Sequence, residues 1–144
     1  MLRPTEWEAT LSKTQLLATL YQIRSNPKYQ AAEATRRVKK AAAMANAGED
    51  TEDFGDIKLL INTWETISVL VLGLKKKDKE LIFEVTPVLH MFTELSDAIE
   101  ILGCKFPDLA SNFRLLSKQH LEWLKFKDDR YQTGEQGGMH ALFG

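Results

Sequence analysis

The sequence has one cysteine and no marked excess of either charge. Cys104 has no intrachain partner for a disulfide, which suits a reducing compartment, so we predict a cytoplasmic protein in which Cys104 is a small buried residue. Lys and Arg total 19 and Asp and Glu total 20, which gives a net charge of −1. Because affinity for nucleic acids comes largely from cations that neutralise phosphates, this balance argues against a constitutive polyanion binder.

Long apolar runs are also absent. The opening residues, MLRPTEWEATLSKTQ, lack the apolar stretch of about 7–15 residues that a secretory signal requires, so we expect no export. The most apolar segment, 57–74, has Glu65 near its middle. An acidic side chain there costs about 2.5–3.5 kcal/mol, against a gain of about 0.3–0.6 for each aliphatic residue, and a span needs about 20 apolar residues. We therefore predict no membrane insertion and a core helix in this segment.

Strand patterns and fixed repeats are missing, whereas helical spacing recurs along the chain. Few prolines and glycines interrupt it, and they divide the sequence into five predicted helices, at 5–24, 27–46, 57–74, 78–103 and 107–126. Asn26 is a good N-cap, and Pro27 suits a first helical position. The predicted fold is all-α, a single helical bundle over residues 1–126 with a kink at Pro87, followed by a flexible, glycine-rich tail over 127–144.

Apolar residues separated by three and four positions mark the predicted core. In the third helix they are Leu60, Trp64, Ile67, Val71 and Leu74. In the fourth helix they are Leu81, Val85, Val88, Phe92, Leu95, Ile99 and Leu102. The second helix has little bulk, because its best apolar stripe is Ala31, Ala34, Val38, Ala41 and Ala45. Such a helix packs closely or weakly in its own bundle.

One constellation of residues suggests chemistry. His90, Glu94 and Asp97 share a helix face, where they could ligate a metal or act as a base with an acidic neighbour. A solvated polar face is the favoured interpretation, and nucleotide-binding, zinc-ribbon and nucleophile-elbow patterns are absent. We predict no catalytic, cofactor-binding or metal-binding residue. A metal-dependent enzyme that uses this trio with Glu65 is the least favoured alternative, and enzymatic activity stays open.

Four residues are predicted to be structural polar or amphipathic groups. Glu65 lies on a very apolar helix, so we expect it to pair with a Lys or Arg of a neighbouring helix. His120 occupies an apolar position between Leu116 and Trp123, which indicates a core imidazole with one hydrogen bond. Asn62 and Trp64 complete the set. The lysines at 75–77 and 79 are interpreted as a C-terminal helix cap.

Residues 61–123 resemble an uncharacterised family of helical domains found in bacteria and their phages. The resemblance is carried by Ile61-Asn62-x-Trp64-Glu65, then Gly73-Leu74, Phe106-Pro107 and the segment from Leu116 to Trp123. It implies a bacterial or phage origin and a core in which Asn62, Trp64 and Glu65 hold the helices together. Members often have an amino-terminal membrane anchor, which we do not expect here, and no activity transfers from the family.

We predict a non-enzymatic interaction or accessory module, a bacterial or phage regulator that binds a partner protein. The candidate contacts are a basic cluster on the second helix and apolar residues of the tail, namely Arg36, Arg37, Lys39, Lys40, Met139, Leu142 and Phe143. The alternative is a regulator that binds nucleic acid through residues 36–40. Association of two copies of the chain also stays open.

Overall fold

The computed structural model describes residues 4–134 of the chain, with side chains described from 13 to 128. Over residues 4–134 the chain is helical and contains no strand, so the predicted all-α class is confirmed. The helices of this part are α1 (Pro4–Ser25), α2 (Pro27–Lys39), α3 (Ala41–Ala45), α4 (Glu52–Leu72), α5 (Lys76–Val85), α6 (Val88–Gly103) and α7 (Ser111–Gly134). Seven helices therefore replace the predicted five within the described range.

Two predicted helices are each broken in two. The helix expected over 27–46 stops at Lys40, whose φ of 71° lies outside the helical region. The helix expected over 78–103 is broken at Thr86 and Pro87 instead of kinked. Thr86 is extended, with φ −126° and ψ 126°, because the ring of a following proline disfavours helical geometry. Proline also has no N–H to donate to the preceding turn.

The break at Pro87 changes which side of α5 faces the core. A continuous helix would have buried Leu81 and Val85, but α5 buries Ile82 and Phe83 and leaves Val85 56% exposed. Beyond the break the predicted seam faces the core, since α6 buries Val88, Leu95, Ile99 and Leu102 and packs the half-buried Phe92 against them. Because α5 and α6 are separate helices, the face that α5 buries need not continue the face that α6 buries.

Side-chain caps fix the starts of α2 and α4. Asn26 Oδ1 accepts the backbone N–H of Lys28 at 2.9 Å, as predicted for an N-cap. Thr51 Oγ1 accepts the N–H of Phe54 at 3.3 Å, so α4 begins at Glu52, before the start predicted at residue 57. Glu52 and Asp53 then lie in the first turn, where negative charge interacts favourably with the helix dipole.

Helix α4 is the centre of the core and packs on α2, α3, α6 and α7. Its predicted seam residues from Leu60 to Val71 are buried. Trp64 joins three helices, because its Nε1 donates to the Tyr29 hydroxyl at 3.0 Å and its ring stacks on Phe113 with centroids 5.7 Å apart. Among the helices of residues 4–134, none has both the length and the apolar character that crossing a bilayer requires.

Helix α7 continues past the predicted end near residue 126, as far as Gly134. The first part of the predicted tail is therefore helical. The tail candidates Met139, Leu142 and Phe143 lie outside the described residues.

Candidate functional site

The basic cluster predicted at 36–40 is divided by the fold. Arg36 is buried, at 6% exposure, and its guanidinium bonds Glu33 through Nε to Oε1 at 2.6 Å and through Nη2 to Oε2 at 3.1 Å. Its Nη1 reaches Glu94 Oε2 on α6 at 3.0 Å. The hydrogen bond to Glu33 raises the pKa of Arg36, in spite of the burial. Arg36 thus ties α2 to α6, and its buried guanidinium is engaged within the bundle, which does not favour the predicted contact with a partner.

The other basic residues of the cluster remain at the surface. Arg37, with its side chain 72% exposed, lies 3.8 Å from Glu33. Lys39 Nζ lies 2.8 Å from Asp53 of α4, and this hydrogen bond raises the pKa of Lys39. Lys40 is exposed at the break between α2 and α3. The cluster is thus partly neutralised, which lends little support to the nucleic-acid alternative.

The apolar stripe expected on the second helix is also divided. Ala41 and Ala45 are buried on α3, whereas Ala31, Ala34 and Val38 face outward on α2. The buried face of α2 is instead formed by Tyr29, Ala32, Glu33 and Arg36. Arg36 accompanies Glu33 inward because the pair is mutually neutralised.

The trio His90, Glu94 and Asp97 does not form a metal site. Glu94 points to Arg36, and His90 Nε2 lies 3.9 Å from the other oxygen of Glu94. Asp97 is exposed. Among the side chains that the structure describes, no three His, Cys, Asp or Glu residues are placed to hold a metal ion.

Glu65 has a different partner from the Lys or Arg that the sequence suggested. Its carboxylate accepts the backbone N–H groups of Asn112 at 2.8 Å and Phe113 at 3.2 Å, in the first turn of α7. Asn62 is exposed and does not occupy the core position that the family resemblance implied for it. Cys104 is exposed too, contrary to the prediction.

His120 is a buried imidazole of α7. Its Nδ1 accepts the backbone N–H of Leu89 at 3.2 Å, which places the proton of the neutral ring on Nε2. The ring stacks on Phe83 with centroids 4.5 Å apart and planes at 9°. Desolvation by burial lowers the pKa of His120. This stack determines which side of α5 packs against α7.

A groove opens between α5 and α7 outside this stack, and we call it the α5–α7 groove. Its volume is about 540 Å³, and it is lined by Lys76, Lys79, Glu80, Phe83, Gln119, Glu122, Trp123 and Phe126. On each helix the lining residues recur at i, i+3, i+4 and i+7, which is the spacing of one helix face. Two contacts join its walls, Lys79 Nζ to Gln119 Oε1 at 3.4 Å and the rings of Phe83 and Trp123 at 5.6 Å.

Aromatic side chains distinguish the α5–α7 groove from the other described grooves. Phe83 is buried, Trp123 is half-buried, and Phe126 is 62% exposed. A groove of about 330 Å³ between α1, α2 and the end of α5 contains one aromatic residue, Tyr21, and one of about 430 Å³ between α2 and α4 contains none. In the latter, desolvation and the neighbouring Glu52 and Asp53 raise the pKa of Asp56.

The sequence indicated one wall of this groove, the α7 wall, but not the other. Gln119, Glu122, Trp123 and Phe126 have visible helical spacing, but Phe83 lay off the predicted seam of a helix assumed to continue through Pro87. The groove therefore depends on the break after α5. Comparison of the chain with protein-family models, curated proteins and solved structures found no significant match, so the family resemblance stays a prediction.

Proposed function

We propose that the protein is a non-enzymatic interaction module that binds a partner protein in the α5–α7 groove. The observation that supports this most is the position of Phe126, a large apolar side chain 62% exposed beside the half-buried Trp123. Removal of such rings from water is a main source of binding energy at protein interfaces, where aromatic side chains are enriched.

The arrangement of polar groups supports the same proposal. Charged residues and one amide occupy the walls, namely Lys76, Lys79, Glu80, Gln119 and Glu122, whereas the aromatic rings cluster at one end. Aromatic rings beside polar groups that can form hydrogen bonds are common at protein interfaces. A regulatory role in a bacterium or phage is part of this proposal, and it rests on the family resemblance alone.

The test compares two Phe→Ala variants of the full chain in affinity capture from the native host, with quantitative mass spectrometry. Phe126→Ala removes a ring from the groove, and Phe106→Ala removes a ring that is 45% exposed outside its lining. Surface changes of this kind usually alter stability by about 0.5 kcal/mol or less, so both variants should fold.

We expect specific proteins to be retained by the wild type and by Phe106→Ala and to be lost with Phe126→Ala. Retention of the same proteins by all three chains would contradict a role for the groove. Thermal unfolding followed by circular dichroism verifies that the variants are folded.

A further inference from the structure

The two ends of the α5–α7 groove differ in chemistry. Helices α5 and α7 run in the same direction along it, because Lys79 contacts Gln119 and, further along both helices, Phe83 contacts Trp123. Lys76 and Lys79 therefore lie at one end, and Phe83, Trp123 and Phe126 lie at the other. We call these the lysine end and the aromatic end.

Exposed lysines cluster at the lysine end, and one further lysine lies at the aromatic end, where Lys127 Nζ is 4.9 Å from the centroid of the Trp123 ring. Lys75 occupies the N-cap position of α5, where Ser, Thr, Asp and Asn are preferred, and Lys76 and Lys77 follow in the first turn. All three are exposed, and the positive end of the helix dipole adds to their potential. The acid of this turn, Asp78, lies 3.6 Å from Lys13 of α1 and is neutralised there. These lysines therefore begin α5 and do not cap the preceding helix as predicted, since α4 ends at Leu72. Their positive potential attracts an acidic group of a ligand to this end of the groove.

Two carboxylates lie between the ends. Glu80 on α5 and Glu122 on α7 line opposite walls of the groove. They repel acidic residues from the middle of a bound segment, which favours the lysine end for the acids of a ligand, because the ammonium of Lys127 at the other end already contacts the Trp123 ring. Repulsion of this kind contributes to specificity as much as attraction does.

From this charge distribution we infer that the groove binds an amphipathic helix of a partner protein with apolar anchors at the aromatic end and an acidic block at the lysine end. The inference rests on the function proposed above and names the partner's chemistry. The lining spans eight positions on each helix, from 76 to 83 and from 119 to 126, which is a length of about 12 Å. A partner helix of two to three turns fits that length.

The test uses a displayed library of random peptides of about 12 residues, panned on the immobilised full chain. We expect the enriched sequences to share apolar residues at helical spacing and acidic residues confined to one end. Enrichment of sequences without an acidic block would overturn the inference.

The consensus peptide is then synthesised, and its affinity is measured by fluorescence polarisation for the wild type and three variants. We expect the double variant Lys76→Glu/Lys79→Glu to weaken binding at least about tenfold, while Lys118→Glu, at an exposed site of α7 outside the lining, changes it little. Phe126→Ala should weaken binding as well.

The outcomes separate the two proposals. Binding that depends on Phe126 but not on Lys76 and Lys79 would leave the groove as the interaction site and overturn the acidic partner. Peptide binding that is unchanged by Phe126→Ala would overturn both proposals. Sedimentation velocity of the peptide-free protein gives a further check, since a dimer that Phe126→Ala dissociates would assign the groove to a second copy of the chain and overturn the inference.

Discussion

The Glu65 carboxylate accepts the backbone N–H of Asn112 at a distance of 2.8 Å, so a side chain of α4 caps the N-terminus of α7. The first N–H groups of a helix have no partner within it, and a nearby negative charge also interacts favourably with the helix dipole. Glu65 supplies both the acceptor and the negative charge, although it lies far from α7 in the sequence. It thereby fixes where α7 begins against α4.

Removal of this cap should destabilise the protein. We expect Glu65→Ala to lower the free energy of unfolding by about 0.5–2 kcal/mol, the range for loss of a helix N-cap. Glu65→Gln should cost less, because an amide oxygen still accepts one N–H. Urea unfolding measures both, with the exposed Glu100→Ala as the control. A loss for Glu65→Ala no larger than that of the control would contradict the capping role.

The buried position of Arg36 leads to a large predicted effect. Arg36→Met leaves the buried Glu33 without its bidentate partner, which should cost about 3–5 kcal/mol of stability. Arg37→Met, at a side chain 72% exposed, should cost little. The double variant Glu33→Leu/Arg36→Met should recover most of the loss, because no buried charge is then unpaired. Equal stability of the two Arg→Met variants in thermal unfolding would show that Arg36 is not buried.

Lys40 has a backbone conformation that favours glycine. Its φ of 71° and ψ of 144° cost a residue with a Cβ about 1–3 kcal/mol, and its side chain is exposed. We expect Lys40→Gly to stabilise the protein by about 1 kcal/mol, after the entropy cost of glycine is included. Lys118→Gly, inside α7, should instead destabilise it by about 1 kcal/mol. Destabilisation by Lys40→Gly in denaturant unfolding would refute the strained geometry.

The stability should depend on pH through His120. Burial lowers its pKa below the ordinary value of 6.5, so the unfolded chain binds the proton more readily. The contribution of the neutral ring to stability is therefore complete above pH 6.5. It is lost as the pH falls from there towards the lowered pKa of the folded state. Protonation also removes the Nδ1 acceptor of the Leu89 N–H.

Urea unfolding at about pH 7.5 and about pH 5.5 measures this dependence. His120→Asn keeps a hydrogen-bond acceptor that does not titrate in this range. The free energies of unfolding at the two pH values should therefore differ less in this variant than in the wild type. His90→Asn, at an exposed site of α6, serves as the control and should leave the difference almost unchanged. An unaltered pH dependence in His120→Asn would assign the effect to other groups.

The sequence predicted those features whose causes are local. Asn26 and Pro27 cap and begin α2 as expected, since a cap needs only neighbouring N–H groups. The apolar seam of α4 is buried as expected, because 3.6 residues per turn place Leu60, Trp64 and Ile67 on one face. Glu65 was correctly predicted to need a partner, but the partner's identity depends on how α7 approaches α4.

The sequence by itself thus determined the helical class and the positions where local groups start or stop a helix. Only the tertiary structure decided which face of a weakly apolar helix turns inward. Arg36 is buried because Glu33 and Glu94 meet it there, and Cys104 is exposed because no neighbouring helix covers it. The α5–α7 groove has the same origin, since Phe83 reaches it after the break at Pro87 lets α5 turn separately from α6. Burial is a property of contacts between distant segments, and spacing along one helix does not specify them.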